Sequence, residues 1–300
     1  MSEQTGRDPV GGLVVAGTGA IFGAIVVLGR SVANEVPVGS LLSIRFGTAA
    51  LVLAAWLIVS RRTLRPASGE WLRLIGLGAI GYAVESAFFF LALERGTAAT
   101  VTLLFYTYPV WVAVVAALSG MGLPGLLLSG SLVSALAGAG IVAGTSEGLD
   151  ITGIGILFSL ASAVAISVYL VAFERLVRRT PALVAAMWVA AGASVAQAAY
   201  AVASGTGTLP HGWGEWGPTL GMGALTAAAF SGLLIGVQRL GALRTSIISS
   251  LEPVFAGILA LVFLGEPVRG GVFLGGLLIL VGAVAATVAR SAREPEAGLP

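Results

Sequence analysis

The second half of this chain echoes the first at a fixed spacing of 144 residues. Glu94-Arg95 is followed, fourteen residues after Arg95, by Pro109, and Gln238-Arg239 is followed, fourteen after Arg239, by Pro253. Pro37 matches Pro181 in the same register, while the Glu70-Trp71 and Glu215-Trp216 pairs fall one residue out of step. A duplication restricts the fold to two related units. In an apolar chain it is the pattern of membrane carriers whose ligand sites lie where the repeats meet.

The chain is apolar enough for that reading. Its mean hydropathy is +0.99, with 57% hydrophobic and 10% charged residues, against about 25% charged in soluble domains. All 16 basic residues are Arg; there is no Lys, no Cys and a single His, His211. Without Lys there is no Walker-type phosphate loop and no Schiff-base cofactor, so ATP-driven pumping by this chain alone is excluded. Without Cys, and with one His, thiolate chemistry and an intramembrane zinc site have no ligands. No cofactor and no metal are expected.

Ten stretches reach the roughly 20 apolar residues that a bilayer crossing needs. They run Val10 to Gly29, Val38 to Ser60, Trp71 to Leu93, Ala98 to Ser119, Leu126 to Thr145, Ile151 to Phe173, Pro181 to Ser204, Thr219 to Val237, Thr245 to Leu264 and Gly270 to Ala289. The first is too long, and continues too directly into further spans, for a cleaved signal. Positive charge collects on cytoplasmic loops. With the N-terminus inside, the inner loops and tails hold Arg7, Arg61, Arg62, Arg65, Arg73, Arg175, Arg178, Arg179, Arg239, Arg244, Arg290 and Arg293. The outer loops hold Arg30, Arg95 and Arg269. Both termini are therefore expected in the cytoplasm. Five spans per half is odd, so the second copy enters the membrane upside down. Matched loops agree: Arg61-Arg62-Thr63-Leu64-Arg65 is replaced after span 7 by Gly212-Trp213-Gly214-Glu215-Trp216, read as an outer interfacial loop with belt tryptophans.

Ionisable groups within the hydrocarbon cost about 2.5–3.5 kcal/mol each, which makes them functional candidates. They are Arg45 in span 2, Glu85 in span 3 and Glu252 in span 9. Counting from the outer ends puts Arg45 and Glu85 at nearly equal depth, so they are candidates for an ion pair that is either static or poised for transport. Tyr82 at i−3 and Phe89 at i+4 share the Glu85 face of an ideal helix, an aromatic wall for an amphipathic or cationic guest. Tyr108-Pro109 and Glu252-Pro253 occupy matching places in spans 4 and 9, and a helix-interior proline frees a carbonyl and bends the rod. Paired breaks point to a transport site, although a proline kink also serves packing alone. Tyr106, Thr107, Ser246, Ser249 and Ser250 surround the breaks, with Tyr106 and Ser249 the best candidates to line a wet cavity.

Other motifs carry less. Gly76-Leu77-Gly78-Ala79-Ile80-Gly81 fits a dinucleotide fingerprint without the preceding strand that it needs. Gly144-Thr145-Ser146-Glu147-Gly148 fits a nucleophile elbow without its context. The glycine pairs Gly19 with Gly23, Gly232 with Gly236 and Gly271 with Gly275 read as close helix contacts.

Three elements together, Leu103-Leu104-Phe105-Tyr106-Thr107-Tyr108-Pro109, Leu251-Glu252-Pro253-Val254 with Leu264-Gly265-Glu266, and the lone Arg45, resemble the drug/metabolite transporter superfamily, in particular proteins with two EamA-type repeats. The resemblance implies ten helices in an inverted 5+5 arrangement, a central cavity and alternating access, with export of amino acids, other metabolites or drugs. Gly122 stands 144 residues before Glu266, so the Gly-Glu ending has no copy in the first half.

The expectation is thus an all-α polytopic membrane protein of the inner membrane. It comprises a tail over 1–9, repeats over 10–146 and 147–289, and a tail over 290–300. Its expected partners are a small-molecule substrate, with proton coupling left open, and the lipid bilayer; no nucleic acid is expected, a monomer is adequate and a dimer stays open. A membrane enzyme acting on a lipid-linked substrate, or a non-transporting receptor, are the rival readings; the cytoplasmic loops offer arginines but almost none of the paired carboxylates or His that the enzyme needs.

Overall fold

A computed structural model of the chain describes residues 8–30, 32, 35–96, 101, 104–144, 151–252, 254–255, 258–259 and 270–288. Pro253, Arg269, the Leu264-Gly265-Glu266 ending and both tails beyond these limits lie outside the described residues. The described elements are helices: α1 (Pro9–Arg30), α2 (Val38–Val59), α3 (Trp71–Leu93), α4 (Tyr108–Leu118), α5 (Leu126–Gly144), α6 (Gly153–Leu176), α7 (Ala182–Ala203), α8 (Gly212–Leu240), α9 (Ala242–Ser249) and α10 (Gly270–Val288). Among the described residues, α2, α3, α6, α7 and α8 are long and apolar enough to cross a membrane, and shorter apolar stretches lie in α1, α4, α5 and α10.

The repeat register is built into the helix boundaries. α1 and α6, α2 and α7, and α5 and α10 each start 144 residues apart. Pro37 and Pro181 are the N-caps of α2 and α7, where a missing N–H costs nothing because helix starts leave those donors unpaired anyway. Asp8 and Thr152 are matched caps of α1 and α6, accepting from the N–H of Gly11 at 2.9 Å and of Gly155 at 3.2 Å. Packing follows the same symmetry: α2 lies on α7 and α5 on α10, while α1 packs on α8 as α6 packs on α3. The contacts are close because small residues line them. A side chain at Gly232 or Gly236 of α8 would strike Thr18 or Val15 of α1, and one at Gly138 of α5 would strike the Gly275 carbonyl of α10.

Loop contacts fix the direction of each repeat. At one end the loop between α2 and α3 meets the loop between α6 and α7, Arg239 meets Asp8, and Arg175 donates to the Ser119 carbonyl. At the opposite end of α3 the Thr152 N–H donates to the Arg95 carbonyl at 3.0 Å. The 23 residues of α3 separate these ends by about 34 Å at 1.5 Å per residue. The first repeat therefore begins at the arginine-rich end and the second at the other.

Glu70 ties the arginine-rich end together. Its carboxylate, 2% exposed, accepts the N–H groups of Arg178, Arg179 and Thr180 at 3.1, 3.1 and 2.9 Å and the Thr180 hydroxyl at 2.6 Å. Burial pushes this carboxyl up, but the Thr180 hydroxyl and the three N–H groups outweigh it and hold it below its ordinary value. Covered by loop yet close to the protein edge, it is an anion in a nest of donors. A carboxyl held low stabilises the fold above its unfolded value near 4.5, and that stabilisation is lost as pH falls through the folded value. Glu70→Gln should thus destabilise the protein at pH 7 by about 2 kcal/mol, as expected for charge-assisted bonds, and lower its melting temperature, with the gap to wild type narrowing only as pH falls below 4.5. Scanning both proteins in detergent between pH 7 and about pH 3 checks this; a gap independent of pH would refute the anionic clamp. Asp8, paired with Arg239 at 2.5 and 3.0 Å, is likewise held low by that guanidinium.

Two boundaries differ from the sequence reading. The Gly212-Trp213-Gly214-Glu215-Trp216 segment is helical, because Glu215 accepts the His211 N–H at 2.7 Å in a capping arrangement. Trp213 is nevertheless highly exposed, as an interfacial tryptophan would be. Arg244 belongs to the first turn of α9 and is buried, not part of a solvated loop.

Candidate functional site

The helix breaks coincide in the two repeats. Residues 104–105 are helical, Tyr106 and Thr107 form a turn, and α4 starts at Tyr108; α9 ends at Ser249, Ser250 and Leu251 form a turn, and helix resumes at Glu252. The hydrogen bonds match one for one. Thr107 N–H donates to Leu104 and Val110 N–H to Thr107, at 3.2 and 3.0 Å; 144 residues on, Leu251 N–H donates to Ile248 and Val254 N–H to Leu251, at 3.1 and 3.0 Å. These are i−3 bonds, the tight turn that replaces the ladder where a proline removes an i−4 donor. The turn precedes Pro109 by two residues because the proline ring and its missing N–H act on the carbonyl four positions back.

Tyr108 fastens the first break to its surroundings. Its hydroxyl donates to the Ser246 carbonyl of α9 at 3.0 Å, and its own carbonyl accepts the Ser167 hydroxyl of α6 at 2.9 Å. Glu252 stands at the second break, half-buried, its carboxylate within hydrogen-bonding reach of the Tyr106 hydroxyl. The backbone there is approached closely by α1, where a Cβ on Gly19 would lie 3.3 Å from the Glu252 nitrogen. Ser249 is buried beside the Tyr108 hydroxyl, with which it makes no direct hydrogen bond of good geometry.

Arg45 and Glu85 are each 6% exposed, as their equal depth suggests, yet they do not form an ion pair within 4.0 Å. Arg45 Nε donates to Thr226 Oγ1 of α8 at 2.8 Å, and its guanidinium lies 5.2 Å from the Phe46 ring centroid. Glu85 is held separately: Oε2 accepts from Ser86 at 2.9 Å, while the Ser162 hydroxyl of α6 is shared between Oε1 at 3.2 Å and the Glu85 carbonyl at 3.1 Å. The three ionisable groups remain within electrostatic reach of one another. The arrangement is one cation and two carboxylates, with no two in direct contact.

The wall expected of Tyr82 and Phe89 is divided. Residues Leu77–Tyr82 of α3 form a π-helical turn, whose i+5 bonding rotates the residues on either side out of α-helical register. Tyr82 joins Phe46, Tyr169 and Phe230, with centroids 5.6, 5.4 and 4.4 Å away. Phe89 instead meets Phe105 at 5.1 Å, and Phe105 lies 5.8 Å from Tyr106 and 5.3 Å from Tyr108. The π turn is supported from α7, whose Gln197 amide donates to the Ala83 carbonyl at 2.8 Å. Gly78 and Gly81, read above as part of a discounted fingerprint, serve packing: a side chain on Gly78 would strike the Val189 carbonyl, and one on Gly81 the Tyr169 ring at 3.0 Å.

Ser162, Ser167, Thr226 and Gln197 escaped the sequence reading. Each is a polar side chain inside an apolar helix, the one signal that could have found it; such groups bond across helices where no water is at hand. Of the candidate residues, Tyr106, Tyr108, Ser249 and Glu252 surround the breaks, with Phe89 adjoining through Phe105. Arg45, Glu85 and Tyr82 form a second buried group within electrostatic reach of the first.

The profile of the EamA-like transporter family matches residues 9–143 and 153–288, two segments that start 144 residues apart and coincide with the two halves. An uncharacterized inner membrane transporter of Salmonella typhimurium, YicL, is 26% identical over 211 residues, covering 70% of each chain. A crystal structure matches with a TM-score of 0.76 and 25% identity, over 92% of this chain and 96% of that one.

Proposed function

This chain belongs to the EamA-like transporter family, and we propose that it is a secondary carrier of a small organic solute, working by alternating access around a site between the repeats. The observation that carries this is the pair of hydrogen-bonded breaks, 144 residues apart, that meet across the Tyr108–Ser246 contact beside three ionisable groups. Broken helices free backbone groups at membrane depth only where protein or a polar cavity receives them. The opposite starting ends of the repeats and the arginine distribution support ten crossings in an inverted 5+5 arrangement, with both termini cytoplasmic in the inner membrane. Export, which the resemblance to drug/metabolite transporters implies, is the direction we assign; a monomer holds the whole site.

The test is flux. In proteoliposomes, gradient-driven movement of a solute that thermally stabilises the purified protein should fall at least about tenfold in Glu85→Gln or Glu252→Gln, or lose its dependence on a proton gradient. Normal, equally coupled transport by both variants would remove these carboxylates from the site. Turnover of a lipid substrate by the purified protein would replace the carrier reading with an enzymatic one.

A further inference from the structure

The two carboxylates differ in what is left for a ligand. Both Glu85 oxygens are engaged by serine hydroxyls, and the group is buried. Glu252 is half-buried, at a break, with the Tyr106 hydroxyl within reach. The charges around Glu252 can be enumerated by helix: Arg45 on α2, Tyr82 and Glu85 on α3, and Tyr106 and Tyr108 on the α4 side. From α1 the neighbour is Gly19, which carries no charge, and from α10 Gly276 faces Val254. When both carboxylates are ionised, one Arg against them leaves one negative charge uncompensated. That charge lies beside Tyr106 and Tyr108, whose rings join those of Phe105 and Phe89 at centroid distances of 5.1–6.3 Å, and close to the buried Ser249 hydroxyl, a neighbour of the Tyr108 hydroxyl.

We infer that Glu252, the Phe105-Tyr106-Tyr108 rings and Ser249 form a site for an organic monocation with an apolar body, and that a proton competes with it for Glu252. Aromatic faces and a carboxylate both favour a desolvated ammonium, and an anion meets neither. Ser249 offers an acceptor to a primary or secondary ammonium. Arg45 and Glu85 act as fixed, mutually compensating charges that set the sign of the site rather than exchanging ligand. This assignment rests on the carrier reading only for the claim that the cation is moved as well as bound.

Equilibrium binding to the purified full chain separates the possibilities, with benzyltrimethylammonium as a cation whose charge does not titrate and benzoate as an anion of similar body. The ammonium should bind and benzoate should not. Its affinity should fall about tenfold per pH unit below the Glu252 transition, with one proton released per cation bound. Glu252→Gln should weaken binding roughly thirtyfold and abolish the pH dependence, as loss of a charge-assisted contact implies, whereas Glu85→Gln should keep the pH dependence. Preference for benzoate, no ammonium binding at millimolar concentration, or unchanged pH dependence in Glu252→Gln would each overturn the proposal. If Glu252→Gln does not fold, the wild-type contrast between the two probes across pH decides alone. Counterflow in vesicles then tests the other reading: ammonium binding without flux leaves the site standing and the carrier reading refuted, and flux of benzoate alone does the reverse.

Discussion

Replacing Arg45 with methionine should abolish transport, lowering flux by about a hundredfold or more, and should destabilise the protein by about 3 kcal/mol. Arg45 is the one cation within electrostatic reach of Glu85 and Glu252 among the described residues. Methionine fills a similar volume with no charge, so the loss isolates electrostatics from packing. Without the guanidinium two carboxylates face each other inside apolar helices, and an uncompensated buried charge costs more than the pair contributed. Thr226 also loses its donor. The second variant distinguishes a role through charge from one through shape. Arg45→Met combined with Glu85→Gln should recover most of the melting temperature, because the surplus carboxylate is gone, yet should not recover flux. Additive losses of stability in that double-mutant cycle would show that Arg45 and Glu85 are uncoupled despite their proximity. Arg45→Lys should fall between, since an ammonium keeps the charge but not the Nε contact to Thr226.

The duplication was readable because it controls chemistry that is local. Pro37 and Pro181 start helices for the same reason in both halves, and Pro109 loosens the turn ahead of it wherever it is placed. What was not readable depends on rotation about helix axes. Counting residues gave the depth of Arg45 and Glu85, but not their facing, which is set by Thr226 from α8 and Ser162 from α6, partners 181 and 77 residues away in sequence. The π turn of α3 has the same origin. Leu77-Gly78-Ala79-Ile80-Gly81-Tyr82 is apolar and glycine-rich, as an α-helical membrane segment can be, and the wider turn is matched to the α7 backbone at Val189 and to Gln197. Tyr82 and Phe89, on one face of an ideal helix, part into two aromatic groups: Tyr82 ends the π turn against Tyr169 and Phe230, and Phe89, two turns further along α3, meets Phe105. The helical start of α8 could have been read from the spacing of His211 and Glu215, but glycine at 212, 214 and 217 concealed it.

Two glycines of α3, two residues apart, should respond to alanine with opposite sign. At Gly78 a Cβ would overlap the Val189 carbonyl and come within 2.8 and 3.0 Å of the Val189 carbonyl carbon and the Ala193 nitrogen. All three atoms are backbone, so no rotamer change relieves the clash; α3 and α7 must separate along their contact. A reciprocal approach, Gly192 of α7 to the Ile75 backbone at 2.5–3.2 Å, means that the separation also opens the neighbouring turn. Gly78→Ala should therefore destabilise by about 3 kcal/mol or more, at the severe end of single substitutions. It should also reduce flux, because the π turn that orients Tyr82 is held by this contact. At Gly76 nothing lies within 4 Å of a Cβ, and the residue is helical, so alanine removes only the entropic penalty of glycine. Gly76→Ala should raise stability by up to about 1 kcal/mol and leave flux unchanged. Thermal denaturation of the two variants beside wild type measures both signs. Equal effects at the two positions would mean that α3 and α7 are not in backbone contact, and the π turn would then lack the support assigned to it here.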